Sequence, residues 1–480
     1  MCGSPWNDYQ IGAITGSQGT IETLTDNSLL EIFNFYVDEN GINAWYRLLR
    51  VCQRWRYIIF ASPLRLHLKL LCSARTPVRE MLGIWPALPI TIQDYSSPAS
   101  LIKGADNIIA ALEHSDRVWE ISLRGVPSWI LERFVAAMQV PFPELRNLVL
   151  RSNDEMARMA PVLLPRSFLG GSAPHLRSCV LENLPFPALR KLLLSASHLV
   201  DLRLVNIPHS GYISPEAMVT CLSALTSLKS LYLAFHSPQS RPNRAIPRLP
   251  PLTRTVLPAL TDFDFRGVCE YLEDFFSMID APLLQKVLVK FFHQLIFDVS
   301  QLHRFILRTE RLRILNEADV VFYNGYVVVR LSPQRGTFDP SRLTLSISCS
   351  KSDWQLSSLA QICSSSLPPL STLQRLEIRE DRPWRPHWED GMENAQWLEL
   401  LHPFIAVKNL YLSEELAQRV APALQELDVE RATYVLPALK NLFLRRLQGL
   451  GPIQDAISQF AAARKLSNHP VAVESWYGGW

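Results

Sequence analysis

The sequence predicts an α/β repeat: short parallel strands alternating with helices, preceded by a small helical module and closed by a C-terminal helix. Three observations lead there. An apolar template of the form L-x-x-L-x-L recurs along most of the chain. A proline stands two residues before the first template position in five copies, at Pro143, Pro174, Pro258, Pro282 and Pro437. Residues 24–59 carry apolar groups at helical rather than alternating spacing.

The template begins at Val118, Leu145, Leu176, Leu199, Leu228, Leu260 and Leu284, and again at Leu373, Val407 and Leu439. The first seven starts are 27, 31, 23, 29, 32 and 24 residues apart, which is the period of leucine-rich repeats, somewhat loosened. The last two template positions alternate with polar residues, so they lie on one face of a short strand. The first position turns the chain into that strand. Proline, lacking an N–H, is expected to end the preceding element and favour an extended start. Each unit buries its apolar edge only by stacking on its neighbours. Between 284 and 373 the pattern is weak; Leu312-x-x-Leu315 and Leu343-x-Leu345-x-Ile347 fill the gap. Leu424-x-x-Leu427-x-Val429 also fits, but it starts 17 residues after Val407 and 15 before Leu439. A full repeat needs more than about 20 residues, so Glu414 to Leu427 reads as the helical back of one repeat. Residues 453–466 read as a capping helix, and 468–480 as an irregular tail.

Strand residues between the anchors point away from the core and line up from copy to copy into one continuous concave surface. They are Asp201 and Arg203, Ser230 and Tyr232, then Asp262, Asp264 and Arg266, and next Lys286, Leu288 and Lys290. Arg375, Glu377 and Arg379 follow, then Asn409 and Tyr411. An acidic step beside a basic one suits a protein partner of mixed charge and not a nucleic-acid backbone, which wants uniform Lys and Arg. The alternative is an ordinary solvated sheet whose neighbouring charges pair with one another.

At the N-terminus, residues 1–18 read as a loose polar tail. Thr25 or Asp26 can cap a helix. Leu29, Ile32, Phe33 and Tyr36 then share one helical face, and Asp38-Glu39-Asn40-Gly41 ends it. A second stripe runs Trp45, Leu48, Leu49, Cys52, Trp55, Ile59 until Pro63. About forty residues cannot bury a self-sufficient core. Periodicity leaves two readings open: a docking module that needs a partner, or a cap packed on the repeats.

The segment Leu24-Thr25-x-x-x-Leu29-Leu30-x-Ile32-Phe33 with Leu48-x-x-Val51-Cys52-x-x-Trp55-Arg56 resembles an F-box, with Thr25 where that module usually has proline. Together with Ser62-Pro63-Leu64-Arg65-Leu66 and the degenerate repeats, residues 20–472 resemble a large family of F-box proteins in mushroom-forming fungi. The resemblance implies a three-helix F-box over 19–63 followed by a leucine-rich-repeat solenoid over 64–467. It implies binding of a Skp-family adaptor, and through it a cullin, by Leu24, Leu29, Ile32, Phe33, Trp45, Leu48, Val51, Cys52 and Trp55. The repeats would capture a target protein, with Arg203, Tyr232, Asp262, Asp264, Lys286, Lys290, Arg375, Glu377, Arg379 and Tyr411 as the expected target face. The implied function is substrate recognition for a ubiquitin ligase. A ligase-independent interaction scaffold is the alternative.

Other chemistry is poorly supported by the sequence. The net charge is +3, from 48 basic and 45 acidic residues, which argues against nucleic acid or a membrane surface bound by bulk charge. No run of about 18 apolar residues occurs, and the N-terminus lacks the pattern of a secretory signal. The eight cysteines form no C-x-x-C pair, so reduced thiols in the cytosol or nucleus are expected, with Cys52 buried on the helical face. Nucleotide, hydrolase and zinc-protease motifs are absent, and no cofactor is expected. Asp262-Phe263-Asp264 reads as solvent-facing strand positions and not as a metal site, and His387-Trp388-Glu389-Asp390 as part of a Trp/Pro-rich insertion at 380–395. An insertion at 236–256 carries Arg241, Arg244, Arg248 and Arg254 without an acid. It reads as a solvated loop; recognition of a phosphorylated target segment is the alternative.

Overall fold

A computed structural model describes residues 21–40, 44–63, 65–85, 87–95, 97–153, 162–242, 253–333, 342–349, 351–364, 368–381, 394–445 and 451–476. Three helices come first: α1 (Asp26–Asn40), α2 (Trp45–Leu48) and α3 (Gln53–Ala61). Strands and helices then alternate. The strands are β1 (Leu70–Cys72), β2 (Ile90–Asp94), β3 (Val118–Pro127), β4 (Asn147–Asn153), β5 (Ser178–Glu182) and β6 (Asp201–Ile207). Next come β7 (Ser230–Phe235), β8 (Thr255–Val256), β9 (Asp262–Gly267), β10 (Ile279–Asp280), β11 (Lys286–Phe292) and β12 (Glu317–Tyr323). The last are β13 (Tyr326–Ser332), β14 (Leu343–Ser348), β15 (Arg375–Glu380), β16 (Asn409–Leu412), β17 (Asn441–Arg445) and β18 (Ala472–Trp476).

Sixteen of these strands form one sheet, in the order β1 to β7, β9, β11, β14, β13, β12, β15, β16, β17, β18; β8 and β10 pair separately. The result is a solenoid-like α/β repeat in which the leucine template occupies the strands. Its local logic is visible in the backbone. The first anchor of a copy donates its N–H to the carbonyl three residues back, as Leu145 does to Phe142 at 3.2 Å and Leu439 to Leu436 at 3.0 Å. The residue after the anchor donates to its counterpart in the preceding copy: Arg177 to Arg146, Val200 to Arg177, Lys229 to Val200, each at 2.8 Å. The five prolines therefore sit at the second position of a β-turn, where their fixed φ fits and no N–H is needed. They form a turn, and not the extended start that the sequence suggests. Template residues such as Leu148, Leu150, Leu202, Leu231, Phe265, Val287 and Leu442 are buried beneath the helices. Gly104, in the helix Pro98–Leu112, lies so close to the loop after β1 that a Cβ there would stand 1.9 Å from the Ala74 carbonyl oxygen.

The stretch from 285 to 372 departs from the simple repeat. β12 runs parallel to β15, not to β11, and β13 turns back antiparallel to it through Asn324-Gly325. β14 then returns parallel to β11. Register places Ala318 and Val320 opposite Leu376 and Ile378. The anchors of this copy are thus Leu315, Ala318 and Val320, three residues later than Leu312-x-x-Leu315 suggests. Glu414–Gln425 is a helix, and β16 pairs directly with β17, so Leu427 and Val429 form no strand. The helix Gly451–Leu466 closes the array. Beyond it, Ala472–Trp476 adds a parallel strand to β17, where the sequence suggests an irregular tail. The Ala472 N–H donates to the Lys440 carbonyl, the same link that joins the other copies.

The apolar core is continuous from Leu29 to Phe460, so α1 to α3 share it with the repeats. The second apolar stripe is broken. α2 ends at Leu48, Cys52 takes extended backbone, and its Sγ accepts the Trp55 N–H at 3.5 Å to start α3. Capping a helix places that thiol at the surface; Cys52 is exposed, not buried.

Candidate interaction surfaces

α1 begins where Thr25 Oγ1 accepts the Ser28 N–H at 3.2 Å. Arg54 in α3 binds the start of α1, donating to the Leu24 carbonyl at 2.6 Å and to Asp26 Oδ1 at 2.7 Å. Arg65 pairs with Glu31. These links fix which apolar groups face inward. Leu29, Phe33, Trp45 and Leu48 are buried within the chain, and Leu24 and Trp55 are partly buried, with the Phe33 and Trp55 rings 4.6 Å apart. Trp45 stacks on Tyr46 at 3.9 Å and meets the edge of Trp85 at 5.6 Å, so the repeats supply part of its cover.

Of the residues that the F-box resemblance assigns to adaptor binding, Ile32, Val51 and Cys52 are therefore the ones at the surface. The structure adds Phe35, three residues from Ile32 on the same helix, and Tyr57, 74 % exposed. Tyr57 lines an open groove with Gln53, Arg56, Phe60 and Ala61. Helical spacing reveals a stripe but not which side of it the rest of the chain takes. The i, i+3 pair of Ile32 and Phe35 was the available signal for the outward side.

The second surface is the open face of the sheet. Register aligns its residues into rows. One row runs Arg203, Tyr232, Asp264, Leu288, Thr344, Arg330, Asp319, Glu377, Tyr411 and Phe443. A second runs Asp201, Ser230, Asp262 and Lys286. The expected target face thus lies on one sheet in two groups, β6 to β11 and β15 to β16, with β14, β13 and β12 between them, and its residues differ in access. Arg203 and Asp262 are exposed; Tyr232, Asp264, Lys286, Lys290, Arg375 and Arg379 are half-buried; Glu377 and Tyr411 are buried.

Charges on this face pair locally. Arg203 binds Asp201 at 3.2 Å, Asp319 joins both Arg330 and Arg379 at 3.1 Å, and Arg375 meets Glu377 at 3.5 Å. Arg375 also lies over the Tyr411 ring at 3.6 Å, and Tyr411 stacks on Phe443 at 4.4 Å. Burial pushes the Asp264 carboxyl up to about 6, against the pull of Lys286 and Arg203. Arg266, Tyr326 and Ser346 complete the centre of the face. The last two belong to strands of the β12 to β14 insertion, whose Asn324-Gly325 turn flanked by Val and Tyr was the sequence signal for a hairpin.

Among the described residues no His, Cys, Asp and Glu cluster could hold a metal ion, and no helix is long and apolar enough to cross a membrane. Asp262 accepts a hydrogen bond from Thr261 Oγ1 at 2.7 Å. Burial pushes the Cys179 and Cys363 thiols up to about 12, far from the reactive thiolate. Of the Arg-rich insertion, Arg241 lies 4.0 Å from Glu270, and Arg254 donates to the Ser277 carbonyl at 3.2 Å. Arg244 and Arg248 lie outside the described residues, as do His387, Trp388, Glu389 and Asp390.

No family model matches the chain, and no curated protein matches it. Among solved structures the chain is similar to the leucine-rich repeat-containing protein LegL7 from Legionella pneumophila, at 13% identity and a TM-score of 0.23, over 83% of this chain and 97% of that one.

Proposed function

We propose that the chain is a substrate-recognition adaptor of a cullin-type ubiquitin ligase. On this reading α1 to α3 bind a Skp-family adaptor, and the open face of the repeats receives a target protein. The observation that carries the reading is the outward side of the helical module. Its interior is already filled by Leu29, Phe33, Trp45 and Leu48, yet it leaves Ile32, Phe35, Val51 and Tyr57 in solvent. Large apolar side chains left exposed on so small a module favour a partner that covers them.

Burying each large apolar side chain contributes roughly 1.5–3 kcal/mol. Replacing Ile32 and Val51 together by Asp should therefore weaken binding of a purified Skp-family adaptor at least tenfold, with the melting temperature of the chain unchanged. Calorimetric titration measures the first and thermal unfolding the second. A folded double variant that binds the adaptor as tightly as the parent sinks the reading.

A further inference from the structure

We propose that Arg266, Lys290 and Ser346 form a binding site for a single anionic group, a carboxylate or phosphoryl group carried by a segment of the target protein. The three stand side by side on the open face: Arg266 on β9 is opposite Lys290 on β11, and Lys290 is opposite Ser346 on β14. Neighbouring strands lie about 4.8 Å apart, so the three Cα positions span about 10 Å, within reach of one group met by the long Arg266 and Lys290 side chains.

Like charges directly opposite one another on a sheet repel. Here neither cation makes an ion pair among the described residues. Each rests instead against a ring, Arg266 5.3 Å from the Phe292 centroid and Lys290 5.1 Å from that of Tyr326. Two donors in the row are orphaned as well. Arg266 Nε and Ser346 Oγ are buried without a hydrogen-bond partner among the described residues, and Ser346 is only 6% exposed. A buried donor left unpaired is costly, and native proteins keep few of them.

Three acids of this face are directed elsewhere, and Asp381 acts on the Tyr326 ring beside Lys290. Asp264, two residues before Arg266, has Lys286 and Arg203 as the cations acting on it. Asp262 is exposed and accepts from Thr261. Asp319 is shared by Arg330 and Arg379. Burial and the proximity of Arg266 lower the Lys290 ammonium from its ordinary value, as an uncompensated cation requires. An incoming anion would satisfy Arg266 Nε and Ser346 Oγ, separate the two positive charges, and leave Phe292 and Tyr326 as an apolar rim. Arginine with a neighbouring cation is the usual receptor for such groups.

That the anion is carried by a protein rests on the reading of this face as the target surface; the anion site itself does not. The test uses the full chain and inorganic phosphate, with acetate as the carboxylate probe, in chloride buffer of constant ionic strength. Phosphate, acetate or both should raise the melting temperature of the parent, and titration should show binding at least tenfold weaker in Lys290→Met and in Arg266→Met. Ser346→Ala, which removes one hydroxyl and leaves the fold undisturbed, should weaken it measurably. Which probe binds tells phosphoryl from carboxylate recognition. If neither probe binds the parent more tightly than Lys290→Met, the proposal is overturned. Proximity labelling then separates the two ideas. Loss of captured proteins in Lys290→Met with adaptor binding retained supports both. Lost phosphate binding with unchanged captured proteins keeps the anion site and overturns the target-face reading.

Discussion

At Asp264 two effects oppose each other, and their balance sets a pH dependence. Desolvation favours the neutral acid, while Lys286 and Arg203 favour the carboxylate; the net rise to about 6 says that desolvation prevails. The folded state therefore holds this proton more tightly than the unfolded chain does. The group's stabilising contribution is fully present below the ordinary 3.8 and is lost as pH rises through about 6. Asp264→Asn should melt higher than the parent at pH 7, and its melting temperature should change less across that window. Scanning calorimetry at several pH values decides it: an Asn variant that melts below the parent at pH 7 means that the pairing with Lys286 and Arg203 outweighs burial. Strand alternation was enough to place Asp264, Lys286 and Arg203 on one face. It could not show that Glu377 and Tyr411, at equivalent positions, are buried, because their cover comes from neighbours in space such as Arg375 and Phe443.

Elements join through groups that bridge one copy and the next. Glu273 is buried in the helix Cys269–Met278, and its carboxylate accepts the Gln301 and Leu302 N–H groups at 2.5 and 2.8 Å. It thereby caps the helix Ser300–Arg308 of the following copy. Arg464 ties the closing helix to the copy before it. It is fully buried and donates to the carbonyls of Ala432, Pro437, Leu439 and His469 at 3.1–3.2 Å. Arg464→Leu removes all these donors at once and leaves buried carbonyls unsatisfied, a loss of about 3 kcal/mol or more. Urea unfolding should show it as a lower midpoint; a variant within about 0.5 kcal/mol of the parent, the range of ordinary surface substitutions, would refute the role. The leucine template made most strands legible, since each anchor must be large and apolar. It failed at β12, where Ala318 and Val320 replace leucine, and at β18, whose side chains are mostly exposed and carry no apolar signature. β12 is apolar and buried but carries the template without leucine, whereas β18 is held by backbone bonding, which leaves little trace in composition.

Across the whole molecule, the helical module and the repeats share one apolar core. The sequence marks off residues 19–63 by an F-box resemblance and a proline boundary, yet finds them too few for a core of their own. The structure supplies part of the missing cover from the repeats: Trp45 and Tyr46 in α2 and Phe60 in α3 gather around Trp85. A piece of this size without that cover cannot bury enough apolar surface to fold. Residues 19–63 expressed alone should therefore show no cooperative melt. In the full chain, Trp85→Ala should open the seam between module and repeats without reaching the far end, because stacked repeats transmit stability mainly to their neighbours. Amide hydrogen exchange over Asp26–Ala61 should accelerate, while Asn409–Leu412 and Asn441–Arg445 keep their protection. A cooperative melt of the isolated segment would restore it as an independent module. Exchange that rises equally at both ends of the sheet would instead mean that the chain unfolds as a single cooperative unit, and the surface proposed for the adaptor could then not be altered without disturbing the open face of the sheet.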